Sequence, residues 1–151
     1  MKIYRISQQV ITAYHGTCSR YYDIIKEKGL VNPFLAKTYE LARYYSEKLS
    51  YQKISYDNRV QYDFGSPIVL NVIVTDLNNL RYDPASMTSP VMANESDRDE
   101  AWDKAEIEHP EWHVDGVRRI PLTEWEISWN AVGAVRYIGT IFPDQISVAL
   151  N

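Results

Sequence analysis

The stretch "SPIVLNVIVTDL" (66–77) constrains the fold more than any other part of the chain. Its middle is nearly continuous in apolar residues, the pattern of a β-strand covered on both faces rather than one. Such a strand belongs near the centre of a sheet. Two helical segments precede it in the sequence. In "SRYYDIIKEKGL", Tyr21, Ile24, Ile25 and Lys28 recur at helical spacing, Ser19 is the expected N-cap, and Gly29 with Leu30 is a C-terminal stop. In "TYELARYYSEKLS", Thr38 is the expected N-cap and Leu41, Ala42, Tyr45 and Leu49 form the apolar stripe.

Further strands come from both ends. "QQVITAYHG" reads as a strand ending near His15, and "NPFLAK" as a short strand or extended segment. From Asn78 to about Leu122 the chain is polar: "DPASMTSPVMANESD" reads as loop and "RDEAWDKAEIE" as a short helix stopped by Pro110. "TEWEISWNAVGAVRYIGTIF" returns to strand character, with a turn or bulge around Asn130 to Gly133. Strands first and last with helices between them define an α+β domain. No repeat or linker divides the chain, so residues 1–151 are expected to form one domain, long enough to bury on the order of two thirds of the unfolded surface.

Charge and composition narrow the function classes. The net charge of -4 disfavours a broad phosphate-binding surface but leaves room for a local one. "MKIYRISQQV" lacks the apolar core of a signal peptide, and no stretch approaches the roughly 20 apolar residues of a membrane span, so a soluble, cytoplasmic protein is expected. The single cysteine, Cys18, fits a reducing compartment and reads as a small structural residue. His109 and His113 stand at i, i+4, but Pro110 between them argues against a shared helix face, and no metal is expected. Asn94 begins "NES", a glycosylation pattern without the secretory context that would give it meaning.

Two features carry the candidate chemistry. His15 stands before Gly16 and Thr17 at a strand end; its bland reading is a hydrogen-bonded histidine closing the strand. "TEWEISW", read as a strand, puts Glu124, Glu126 and Ser128 on one face and Trp125, Ile127 and Trp129 on the other; its bland reading is a solvated edge.

Taken together and in this order, "YHGT", "GLVNPFLAKTYELARYY" and "EWEISWNAVGAVRYI" resemble the ADP-ribosyltransferase fold, in the branch of diphtheria toxin and the poly(ADP-ribose) polymerases. The resemblance spans roughly residues 10–140 and lapses after Asn78. It implies a split β-sheet core with flanking helices and NAD as co-substrate. That branch's histidine, tyrosine and glutamate fall on His15, Phe34 and Glu124, with Phe34 lacking the tyrosine hydroxyl. The implied roles follow from the chemistry of NAD. Cleaving its ribose–nicotinamide bond builds positive charge on the sugar, which a carboxylate stabilises. Glu124 would face that charge, His15 would bond a ribose hydroxyl, and Gly16 would offer its backbone to the carboxamide. Phe34 and Tyr44 would stack on nicotinamide, and Thr17 and Ser19 would meet the adenosine side. Glu126 completes an E-x-E pattern found in the family's other main branch, in whose register Glu126 would be the NAD-binding glutamate and Glu124 the acceptor-side residue; that branch's arginine and Ser-Thr-Ser motif are not evident here, so the resemblance favours Glu124 with Glu126 second.

The resemblance thus implies a mono-ADP-ribosyltransferase acting on a macromolecular acceptor, protein ahead of nucleic acid, in the setting of a toxin or phage-conflict effector with an antitoxin or inhibitor protein. A nucleic-acid acceptor would have a base gripped between aromatics such as Trp102 and Trp112. The alternatives within the fold are a tRNA 2′-phosphotransferase-like enzyme, for which no arginine cluster is present, and a binding module that has lost catalysis.

Overall fold

The computed structural model describes residues 9–53, 60–62, 65–88 and 95–150, which leaves Asn94 and its glycosylation pattern outside the described residues. In chain order these contain strand β1 (Ile11–Cys18), helix α1 (Ser19–Lys28), β2 (Leu30–Val31), β3 (Phe34–Ala36), α2 (Tyr39–Ser50), β4 (Tyr51–Lys53), β5 (Val60–Tyr62) and β6 (Pro67–Val74). There follow β7 (Leu80–Arg81), α3 (Pro84–Thr88), α4 (Glu95–Glu108), β8 (His113–Val114), β9 (Val117–Arg118), α5 (Trp125–Val132), β10 (Ala134–Tyr137), β11 (Thr140–Ile141) and β12 (Ile146–Val148). The fold is mixed, with a six-stranded antiparallel sheet in the order β12-β6-β1-β3-β10-β7 and five α-helices among the described residues, which fits the α+β class.

β6 takes the interior position expected of it, paired along its whole length with β1 and on its other side with β12. Its alternate residues feed two different cores, as the period of a strand requires. Leu70, Val72 and Val74 join Ala13, Leu35, Val135 and Ile25 of α1 on one face, while Val69 joins Ala36 and Ala42 of α2 on the other. β1 runs to Cys18, three residues beyond His15, because its ladder with β6 continues to the pair Cys18↔Pro67. Cys18 is fully buried, in keeping with a structural role.

The helices carry corrections of detail. Thr38 caps α2 as expected, its Oγ1 accepting from the Leu41 amide at 3.2 Å, and Gly29 closes α1 through its amide to the Ile25 carbonyl. Ser19 is not the cap of α1 but its first residue; Cys18 holds the cap position without a side-chain bond. Of the α1 stripe only Ile25 is buried, with Tyr22 packed beside it, while Tyr21 and Ile24 face outward. In α2 the buried residues are Ala42, Ser46 and Ser50, a file of small side chains that draws the helix backbone onto β1. A Cβ at Gly16 would overlap the Ala42 carbonyl oxygen and stand 2.7 Å from the Ser46 nitrogen. Gly16 is therefore demanded by helix packing, whatever its backbone does for a ligand.

The "DPAS" segment, expected as loop, folds as α3, with Asp83 at its N-cap and Pro84 in its first turn. The helix before Pro110 is present as α4. The larger correction concerns "TEWEISWNAVG": residues 125–132 are the helix α5, not a strand, and the turn expected at Asn130–Gly133 is that helix's C-terminus. Gly133 adopts the left-handed conformation (φ 70°, ψ 35°) and its amide bonds the carbonyls of Ser128 and Trp129, a helix stop that glycine makes at no steric cost. Trp125 and Trp129 alternate with Ile127 as a strand would, but they are also one helical turn apart, and their rings meet edge-on at 6.5 Å. Ser128 separates the two readings: strand alternation turns it to solvent, whereas it is fully buried beside Val132 on the helix.

Replacing Gly16 with alanine forces α2 off β1, because both obstructing atoms are backbone. Overpacking of this kind costs about 1–3 kcal/mol; chemical denaturation should show Gly16→Ala losing at least that much, and an unchanged midpoint would contradict the packing.

Candidate functional site

The sheet changes character between β1 and β3. β1 shares eight consecutive Cα pairs with β6 but one, Tyr14↔Ala36, with β3. Beyond that pair the edge of β1 facing β3 is open, and His15 occupies the opening. By alternation His15 shares a face with Leu70, yet its Nδ1 bonds the Phe34 carbonyl of β3 at 2.7 Å. A carbonyl oxygen only accepts, so Nδ1 carries the hydrogen and Nε2 of the neutral ring is a free acceptor. The ring is held neutral. Burial lowers its pKa below 6.5 and the nearby Arg136 charge adds to that, against the Phe34 bond, which favours the protonated form.

His15 borders a cavity of about 460 Å³ together with Gly16, Phe34, Tyr45, Leu49, Asp83, Ala85, Ser86 and Arg136. This lies within the roughly 300–1,000 Å³ of small-molecule sites. Its floor is set by register: Phe34 stands opposite Arg136 across β3 and β10, and Gly16 is on β1 alongside. Its wall is α2, where Tyr45 packs against the Phe34 ring at 4.8 Å, tilted by 60°. The expected apolar stripe of α2 is thus partly uncovered, Tyr45 and Leu49 lining a cavity rather than filling the core.

The charged groups of the cavity differ in how they are held. Arg136 is exposed, and among the described residues its guanidinium has no ion pair or hydrogen-bond partner; it offers planar donors to an anion. Arg81, paired with it across β10 and β7, is spent on the backbone carbonyls of Asn78 and Leu80. Asp83 is 5% exposed, with Oδ2 accepting from Ser86 Oγ at 2.7 Å and its own amide donating to Ser128 Oγ at 3.1 Å.

The structure brings some of the expected residues together and separates others. His15, Gly16 and Phe34 share the cavity. Tyr44 does not line it; its ring meets Tyr45 edge-on and carries Lys48 over its face, and the next residue, Tyr45, takes the position expected of it. Thr17 is buried in the sheet, and Ser19 Oγ accepts from the Ser66 amide, so neither borders the cavity. Glu124 and Glu126 are not on a strand face: Glu124 is the N-cap of α5 and Glu126 lies in its first turn. Both line a smaller cleft of about 270 Å³ with Lys104, Glu108, His109 and Trp112. Trp112 stacks on His109 at 3.8 Å, and Trp102 is covered by the guanidinium groups of Arg98 and Arg118, so each expected base-gripping ring already has a partner.

Sequence reasoning did not single out Asp83, Ser86 and Arg136 as cavity residues, and it named Tyr44 where Tyr45 is the member of the doublet that lines the cavity. The signal for Asp83 was the D-P-x-S cap pattern, which marks a helix start but not a cavity. Among the described residues no group of His, Cys, Asp and Glu side chains is arranged to hold a metal, and no helix is long and apolar enough to cross a membrane. Comparison with protein-family models, curated proteins and solved structures finds no match to this chain.

Because the folded state keeps His15 neutral, it binds fewer protons than the unfolded chain once the pH falls below about 6.5. The contribution is fully present above that pH and is lost as the pH drops through the folded pKa. Urea unfolding at a series of pH values should show this decline in the wild type and a shallower one in His15→Gln; identical slopes would mean an ordinary titration.

Proposed function

We propose that this chain is an NAD-dependent mono-ADP-ribosyltransferase, built on an ADP-ribosyltransferase-like split sheet, with the cavity at His15 taking the nicotinamide-ribose end of NAD. The observation that carries the reading is His15 itself: a neutral ring, its Nδ1 committed to Phe34 and its Nε2 left as acceptor, at the point where β1 and β3 part. A ribose hydroxyl donates to such a nitrogen. Phe34 and Tyr45 supply the aromatic surface for the nicotinamide ring, and Phe34 keeps the stacking face without the hydroxyl of tyrosine. Arg136 is a partner for the pyrophosphate.

The acceptor is a macromolecule, protein ahead of nucleic acid, and the toxin or phage-conflict setting with an antitoxin belongs to the same proposal. The cleft of Glu124, Glu126, Lys104 and Trp112 is suited to its side of the reaction. A binding module of the same fold is the second reading. It is favoured by one observation, that Glu124 and Glu126 line a different cleft from His15.

Incubating the protein with a cell lysate and isotopically labelled NAD tests the choice. Enzyme activity gives free nicotinamide and a labelled macromolecule by mass spectrometry; a binding module gives neither while still retaining NAD. Absence of both turnover and NAD binding would reject the proposal. His15→Ala is expected to weaken NAD binding by about tenfold, the worth of a buried hydrogen bond, with thermal unfolding still cooperative.

A further inference from the structure

We infer that Asp83 is the carboxylate that faces the positive charge formed on the ribose, the role that sequence resemblance gives to Glu124; the inference rests on the NAD reading. Asp83 is the acidic residue among those lining the His15 cavity, beside Ser86 and in company with the aromatic pair Phe34 and Tyr45. It is 5% exposed, so its charge acts where water screens it little. Its position is fixed from two sides. Ser86 Oγ donates to Oδ2 at 2.7 Å, and Ser128 Oγ accepts from the Asp83 amide at 3.1 Å, which ties α3 to α5. After burial, the Asp83 charge is the next cause that pushes the Tyr45 phenol up.

The plain alternative is that Asp83 only caps α3. Capping accounts for its bonds to the Ser86 amide, at 3.4 Å, and hydroxyl. A carboxylate has about four lone-pair sites, so these two bonds leave acceptor capacity on a cavity wall. Asparagine and serine also cap helices as well as aspartate. Capping therefore accounts for a polar residue at this position and does not require a charge there. The reaction does. As the C1′–N bond breaks, its electron pair goes to the nicotinamide ring, which leaves neutral. Positive charge remains at C1′ until water or the acceptor bonds that carbon and releases one proton to solvent. In this role Asp83 stabilises the charge electrostatically and forms no bond to C1′.

The equivalence of asparagine as a cap makes the test clean. With the full chain and NAD as the probe, Asp83→Asn should keep cooperative unfolding and NAD affinity within a few-fold, while nicotinamide release falls about 100-fold or more. Asp83→Ser is the second variant should asparagine disturb the fold. Wild-type rates in either folded variant overturn the assignment and leave the NAD reading intact. So does a 100-fold loss in Glu124→Gln with Asp83→Asn unimpaired, which returns the role to Glu124. No nicotinamide release and no NAD binding by the wild type overturns the NAD reading and this assignment with it.

Discussion

The hydrogen bond from His15 Nδ1 to the Phe34 carbonyl is the contact on which the candidate site depends. Where strands part, each exposes a row of backbone groups that a sheet would otherwise satisfy, and a buried carbonyl without a donor is costly. His15 satisfies one of these groups with its side chain. In doing so it fixes the tautomer, the ring orientation and the free nitrogen in one step. An opening that costs backbone hydrogen bonds is turned into a site with a defined acceptor at its mouth. Burial is the main cause that lowers the pKa of the ring, and the Arg136 charge, one strand further on, acts in the same direction.

A second constraint is the approach of α2 to β1. The file of Ala42, Ser46 and Ser50 lets the helix backbone rest on Gly16, and that closeness brings Tyr45 over Phe34. Gly16 had been assigned to ligand contact by analogy; the packing gives it a structural duty that comes first. An alanine here would lose function through the helix position even if its backbone never touched a ligand. Loss of activity at Gly16 is for that reason poor evidence about chemistry, and His15 and Asp83, where no Cβ is added against backbone, are the better probes.

How much of this was legible depended on whether one pattern had one structural meaning. The apolar run of β6, the Thr38 cap and the Gly29 stop each admit a single local solution, and the fold adopts it. "EWEISWN" admits two, because Trp125 and Trp129 satisfy an alternating strand and a helical turn equally well. Gly133 at the left-handed cap and the buried Ser128 decide for the helix. Those are facts of context: a glycine in sequence marks a bulge as readily as a helix end. The edge strand β12 was passed over for the opposite reason, since "ISV" is too short to carry a period and gains its identity from pairing with β6.

The lining of the candidate cavity was legible where it depends on β1 and illegible where it depends on α3. His15, Gly16 and Phe34 lie on adjacent strands and were placed by the order of their motifs. Asp83 reaches the same cavity by a longer route: β7 carries the chain past the sheet edge, Pro84 turns it into α3, and Ser128 on α5, more than forty residues later, accepts from the Asp83 amide. The local D-P-x-S pattern marks the helix start and the Ser86 bonds of the carboxylate, but not that this cap borders a cavity beside β1. The same folding of "TEWEISW" into α5 that carries Glu124 away from the strand face delivers Ser128 to Asp83.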